Sequence, residues 1–83
     1  MTALHEAAQE GSLDLCENLI TIYNADVNAK DDKGKTPLHY AAINGNKAVF
    51  QYLVAQYADV HAEDRWKMTP LHYAAWDGHE AVC

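Results

Sequence analysis

The chain has 83 residues, 49% of them apolar and 22% charged, and at that length it builds at most one small domain. No apolar run approaches the roughly 18 residues that cross a bilayer, and the start lacks the basic, apolar, small-residue order of a signal peptide, so a soluble, intracellular chain without a membrane partner is expected. Twelve acidic against six basic residues, with the acid excess gathered in residues 1–35, argue against a phosphate-tracking surface, so no nucleic-acid partner is expected.

From the N-terminus, Thr2-Ala3-Leu4-His5-Glu6-Ala7-Ala8 predicts a helix. A threonine hydroxyl accepts from an orphan amide at its start, and Gly11 ends it by taking a left-handed conformation. Apolar residues then fall at Leu15, Cys16, Leu19 and Ile20, the i, i+1, i+4, i+5 spacing of one buried face of a second helix. Residues 26–35 read as an extended hairpin with Gly34 at its turn. Thr36-Pro37-Leu38-His39-Tyr40-Ala41-Ala42 opens a third helix, with proline where its missing donor goes unused, and Gly45 closes it. Val49, Phe50, Leu53 and Val54 mark the buried face of a fourth helix, and residues 59–68 form a second hairpin. Thr69-Pro70-Leu71-His72-Tyr73-Ala74-Ala75 opens a fifth helix that Gly78 ends, and the chain stops at Val82-Cys83 as a sixth would begin.

These elements repeat. The Thr-x-Leu-His segments begin at residues 2, 36 and 69, and Ala25-Asp26-Val27-Asn28-Ala29 returns 33 residues later as Ala58-Asp59-Val60-His61-Ala62. Leu19 and Leu53 stay 34 apart, which confines one inserted residue to positions 20–24, the end of the second helix. The period and the string Thr-Pro-Leu-His-x-Ala-Ala resemble the ankyrin repeat family over the whole chain. The resemblance implies an all-α solenoid of helix pairs joined by extended β-hairpin loops, forming one domain over residues 1–83. Its repeats would run over residues 2–35 and 36–68, with a truncated third over 69–83, about two and a third in all. Stacked repeats bury one another's faces, so a segment of this kind is expected either to continue a longer array or to self-associate through its uncapped C-terminal end.

The sequence offers weak candidates for chemistry. His5, His39 and His72 hold one equivalent place in three units, where the family uses histidine to bond the backbone of the adjoining hairpin. His79-Glu80-Ala81-Val82-Cys83 imitates a zinc-binding helix, but a catalytic zinc needs a third protein ligand, and Cys83 falls on the buried face with Cys16 and Phe50. His61-Ala62-Glu63 matches half of a zinc-deaminase string whose Pro-Cys-x-x-Cys half is missing. No Gly-rich phosphate loop or nucleophile elbow occurs, so neither enzymatic activity nor a cofactor is expected. Cys16 and Cys83 lie two units apart, about 20 Å at the usual helix spacing, beyond the reach of a disulfide. The resemblance also marks Asn28 as the hairpin asparagine that hydroxylases modify in some family members; a bond within the loop is the favoured alternative.

Function is sought where the copies differ. The family's contact surface comprises the hairpin tips and the exposed ends of the first helices, which line a concave face. Carried over, the tips are Asp32, Lys33 and Lys35, then Arg65, Trp66 and Met68, and the helix ends are Gln9 and Glu10, Ile43 and Asn44, Trp76 and Asp77. Trp and Arg in variable, exposed places are the residue types enriched at binding hot spots, so Ile43, Arg65, Trp66, Met68 and Trp76 form the expected partner patch. Three departures from the family stand out. Ala3 replaces the first proline, and Tyr57 and Lys67 stand where glycines are expected and must either adopt positive φ or reshape their turns, which would distort the second hairpin. The expected function is a protein-binding scaffold; the alternative is an architectural segment of a longer array with no partner of its own on this surface.

Overall fold

A computed structural model of the chain describes residues 1–76, the last by its backbone alone. Among these residues it contains five helices: α1 (Ala3–Glu10), α2 (Leu13–Thr21), α3 (Pro37–Ile43), α4 (Lys47–Ala55) and α5 (Pro70–Trp76). Each odd-numbered helix starts on the same reciprocal cap. The Thr36 hydroxyl accepts from the His39 N–H at 3.4 Å while His39 Nδ1 accepts from the Thr36 N–H at 3.0 Å, and Thr2 with His5 and Thr69 with His72 repeat the arrangement. At the other end, Gly11 (φ 77°) and Gly45 (φ 66°) turn left-handed, so that Ser12 N–H reaches the Ala7 carbonyl and Asn46 N–H the Ala41 carbonyl.

The alanines decide the layering. Ala7, Ala8, Ala41, Ala42 and Ala74 are completely buried, which lets α1, α3 and α5 lie side by side, while α2 and α4 pack behind α1 and α3 and against each other. Leu4, Leu38, Cys16, Val49, Phe50 and Leu53 fill the space between the layers. Burial pushes the Cys16 thiol up to about 11, with the Glu17 carboxylate adding to the shift, so it sits in the core as an inert thiol. The apolar stripe anticipated for α2 and α4 is buried only in part. Leu15 and Val54 are 42% and 40% exposed, since each lies on a flank of its helix that no other described helix covers.

The expected β-hairpins are not formed: among the described residues there is no strand. The connections between helix pairs are instead chains of turns, for a reason visible in their hydrogen bonds. In the first, only Asp31 N–H to the Lys35 carbonyl at 2.9 Å closes the tip in the manner of a strand pair. The Lys33 and Lys35 N–H groups both go to the Asp31 side chain, at 2.9 Å each. In the second connection Asp64 N–H bonds the Met68 carbonyl at 3.0 Å, and the Trp66 and Met68 N–H groups go to the Asp64 side chain. A carboxylate that captures two amides per loop leaves too few donors for a ladder, and the backbone settles into side-chain-capped turns.

The two unusual positions keep their turns. Tyr57 (φ 69°) and Lys67 (φ 62°) take the left-handed conformation, and Lys67 N–H bonds the Asp64 carbonyl just as Gly34 N–H bonds that of Asp31. The second loop therefore repeats the first rather than distorting. The inserted residue is also visible. Ala58 N–H reaches back five positions to the Leu53 carbonyl, whereas its counterpart Ala25 reaches back six, to Leu19. The extra residue is absorbed in the exit from α2, where Asn24 (φ 54°) supplies the left-handed step.

Candidate protein-binding surface

The surface in question is built on Asp31 and Asp64, which the 33-residue period makes equivalent. Each carboxylate holds its own loop tip through two backbone amides, and each accepts from the hydroxyl of a tyrosine nine residues on, Tyr40 or Tyr73. Burial alone would raise both carboxyls, but the tyrosine and backbone hydrogen bonds outweigh it and hold them below the usual carboxylate range. Tyr40 and Tyr73 are pushed correspondingly upward, by burial first and then by the carboxylate they bond. Asp64 has one further partner. Lys35 Nζ lies 3.4 Å from its Oδ2, and this ion pair is nearly sealed, with side-chain exposures of 11% and 0%.

The histidines tie each loop to the helix row beneath it. His5 Nε2 bonds the Lys35 carbonyl and His39 Nε2 the Met68 carbonyl, both at 2.8 Å. A carbonyl can only accept and the threonine N–H at Nδ1 can only donate, so in both rings Nε2 is the donor and Nδ1 the acceptor. Desolvation lowers the pKa of His39, opposed by its bond to Met68 and by Asp64. Tyr40 and Tyr73 meet the His5 and His39 rings edge-on, at 5.7 and 5.9 Å between centroids.

Five of the anticipated contact residues, Asp32, Lys33, Lys35, Arg65 and Trp66, come together at the tips. Arg65 N–H bonds the Lys33 carbonyl at 2.9 Å, which stacks the second loop on the first. Lys35 Nζ lies 4.3 Å from the centroid of the Trp66 ring and 5.5 Å from that of Tyr73, and the Arg65 guanidinium lies 5.4 Å from the Trp66 centroid. Trp66 nonetheless remains 55% exposed. Lys35 does not project as a free tip charge, because its ammonium is turned inward to Asp64. Asp32 and Lys33 are exposed, the Asp32 carbonyl accepting from Arg65 Nη2 at 3.4 Å, while Met68 is half-buried.

The helix-end candidates lie apart from this group. Ile43 is half-buried at the end of α3, and Asn44 is exposed, its amide bonding the Tyr40 carbonyl at 3.2 Å. Gln9 and Glu10 are exposed at the end of α1. Trp76 is the last residue of α5, whereas Asp77 and the His79–Cys83 string lie outside the described residues. Asn28 is exposed and spans two connections: its Nδ2 donates to the Tyr57 carbonyl at 3.3 Å and its Oδ1 accepts from Asp59 N–H at 2.7 Å. Among the described residues no three His, Cys, Asp or Glu side chains converge as a metal site would require. The Asp–Tyr pairs and Asn46, whose amide bonds the Ala8 carbonyl at 2.8 Å, were not anticipated as organisers of the surface. The signal was present in Asp31/Asp64 and Tyr40/Tyr73, both identical at the repeat period.

Among described proteins, the chain is similar to protein phosphatase 1 regulatory subunit 27 of Homo sapiens, 41% identical over 55 residues that make up 66% of this chain and 35% of that protein. It is also similar to palmitoyltransferase akr1 of Schizosaccharomyces pombe, 43% identical over 54 residues, or 65% of this chain and 8% of that one. A third relative is ankyrin repeat domain-containing protein 7 of Homo sapiens, 43% identical over 53 residues, 64% and 21% respectively. The matched segment thus spans about a third or less of each of these relatives. No described helix is long and apolar enough to cross a membrane. The family description of ankyrin repeats in three copies matches residues 2–83, and the chain belongs to the ankyrin repeat family, whose repeats are non-catalytic protein-binding scaffolds.

Proposed function

We propose that this segment docks a partner protein on the loop tips, through Asp32, Lys33, Lys35, Arg65, Trp66 and Met68, and on the C-terminal ends of α3 and α5, with Ile43, Asn44, Trp76 and Asp77 as further contacts. The observation that carries the reading is Trp66. A tryptophan costs solvation when left 55% exposed, yet this one is held in place by two cations rather than folded into the core. A large, pre-positioned aromatic loses little freedom on binding. Lys35 contributes from beneath by fixing the ring, not by touching the partner.

A second reading, that neighbouring repeats or another copy cover the segment, draws on α5. Leu71, His72 and Ala75 are exposed, although their counterparts Leu38, His39 and Ala42 in α3 are completely buried under α5 itself. The two readings concern different faces, so one comparison separates them. The parent chain and a Trp66→Ala, Trp76→Ala variant of equal helicity are used to capture partners from lysate. A protein captured by the parent and lost by the variant supports tip docking. Equal capture by both sinks it, and no capture together with concentration-dependent self-association in the ultracentrifuge supports the architectural reading.

A further inference from the structure

Five of the six basic residues of an acidic chain, Lys30, Lys33, Lys35, Arg65 and Lys67, fall in the two inter-helix loops. The loop acids do not cancel them at the tips. Asp64 is sealed beneath the surface and paired with Lys35, and the Asp31 carboxylate is occupied by Tyr40 and two backbone amides. Asp26 and Asp59 bond the N–H groups of Asn28 and His61, near the start of each loop. What remains outward is Lys33, Arg65 and Lys67 around Trp66, with Lys30 further back in the first loop, against Asp32 and Glu63 as the opposing charges, so that the exposed loop charges still leave a basic excess beside the ring. We infer that this surface receives an acidic polypeptide segment, with adjacent Asp or Glu carboxylates on Arg65, Lys33 and Lys67 and an apolar side chain against Trp66. The inference rests on the tip-docking reading and supplies its partner chemistry.

Two features argue for such an occupant rather than a further loop of the same kind. The first is the state of Arg65. Its backbone and one Nη2–H are used on the first loop, while the rest of its planar donor fork has no carboxylate within ion-pair reach among the described residues. A guanidinium anchored this way is pre-oriented for a two-point carboxylate contact. The second is Lys67. In the first loop the equivalent Gly34 is overlain by the backbone of the second, and a β-carbon there would stand only 3.1 to 3.3 Å from Arg65 N and the Asp64 backbone. Lys67 carries such a β-carbon, so a loop stacked on the second as the second is stacked on the first would have to shift outward. Close stacking of a further loop is therefore less favourable on the Arg65–Trp66–Lys67 edge than on the Gly34 edge.

The test is a titration of the isotopically labelled chain, followed by backbone amide and indole N–H resonances, with two peptides: acetyl-Asp-Glu-Leu-Glu-Asp-amide and its neutral counterpart acetyl-Asn-Gln-Leu-Gln-Asn-amide. The Trp66 indole signal is assigned with a Trp66→Phe variant. Saturable shifts of the Trp66 indole and the Arg65 and Lys67 amides are expected with the acidic peptide only. They weaken severalfold when salt is raised so that the Debye length falls from about 10 to about 3 Å, and in an Arg65→Gln variant, but not in Lys47→Gln on α4. Equal shifts with the neutral peptide, shifts confined to α5, shifts that appear on concentrating the chain alone, or no shift with either peptide would each overturn the inference. If neither peptide binds while the Trp66 variant still loses a captured protein, tip docking stands and only the acidic chemistry falls.

Discussion

Asp64 is the point at which the surface is most easily broken. Its Oδ1 accepts from the Trp66 and Met68 amides at 2.9 Å each, and its Oδ2 takes the Tyr73 hydroxyl and the Lys35 ammonium at 3.4 Å. Asp64→Ala orphans all four donors and leaves a buried cation without its counter-ion, a loss of about 3 to 5 kcal/mol by comparison with other buried pairs broken on one side. Asp31→Ala removes the same two amide bonds and the Tyr40 bond but strands no cation, and should cost about 2 kcal/mol. Asp64→Asn keeps an oxygen for the two amides and falls between them. In a chain of this size each kcal/mol moves Tm by roughly 4 to 8 °C, so thermal unfolding followed by circular dichroism resolves the series. A Lys35→Met, Asp64→Asn double variant is expected to lose less than the sum of its singles, because the apolar replacement removes the stranded charge. The reasoning is refuted if Asp64→Ala costs no more than Asp31→Ala, or if the double variant is additive. Should Asp64→Ala not fold at all, Asp64→Asn against Asp31→Asn carries the same comparison.

Three further outcomes follow from the backbone and the titrating groups. Gly34→Ala should destabilise by about 2 kcal/mol, since it combines left-handed strain with backbone crowding, whereas Lys67→Gly at the equivalent turn should be neutral or stabilising; chemical denaturation of the two reads the difference. Tyr57→Gly relieves the strain of a fully solvated left-handed tyrosine and should raise stability by up to about 1 kcal/mol, seen as a higher Tm; a fall would mean that the ring has a structural contact. The folded pKa of His39 lies below 6.5 and those of Asp31 and Asp64 below 3.8, so in each case the unfolded chain takes up the proton first as pH falls. The contribution of these three groups is therefore full above 6.5, declines below it as His39 of the unfolded chain protonates first, and declines again below 3.8 as the aspartates of the unfolded chain do; a Tm that rises on acidification through either window contradicts the assignment.

The helix starts and the layer of α1, α3 and α5 were legible because they depend on residues that act locally. Thr36-Pro37 with His39, the alanine pairs, and Gly11 and Gly45 each impose their conformation within one turn of chain. The loops were misread as extended hairpins because their geometry depends on where two aspartates send their oxygens, and an Asp in a polar stretch looks like ordinary solvated surface. Lys35 was misplaced for a related reason. A lysine is normally exposed, and what buries this one is a carboxylate 29 residues further along. Leu15 and Val54 show the converse: the helical stripe correctly marks a face, but only the neighbours present decide whether that face is covered.

The same chain of contacts explains how a thin array can hold the proposed docking edge firm. From the helix row outward, His39 fixes the Met68 carbonyl, Asp64 fixes the amides of Trp66 and Met68, and Lys35 joins Asp64 to the Trp66 ring. Each link but the last repeats 33 or 34 residues earlier, where His5 and Asp31 perform the same holding. The tip residues differ, Asp32, Lys33 and Gly34 in one loop and Arg65, Trp66 and Lys67 in the next, while the aspartate beneath them is the same. Specificity can therefore change at the tips without disturbing what supports them, and because the support is repeated, the tips are ordered before a partner arrives. That prior ordering removes part of the entropy cost of docking, which is the advantage of holding an exposed tryptophan on a buried ion pair rather than on a free loop.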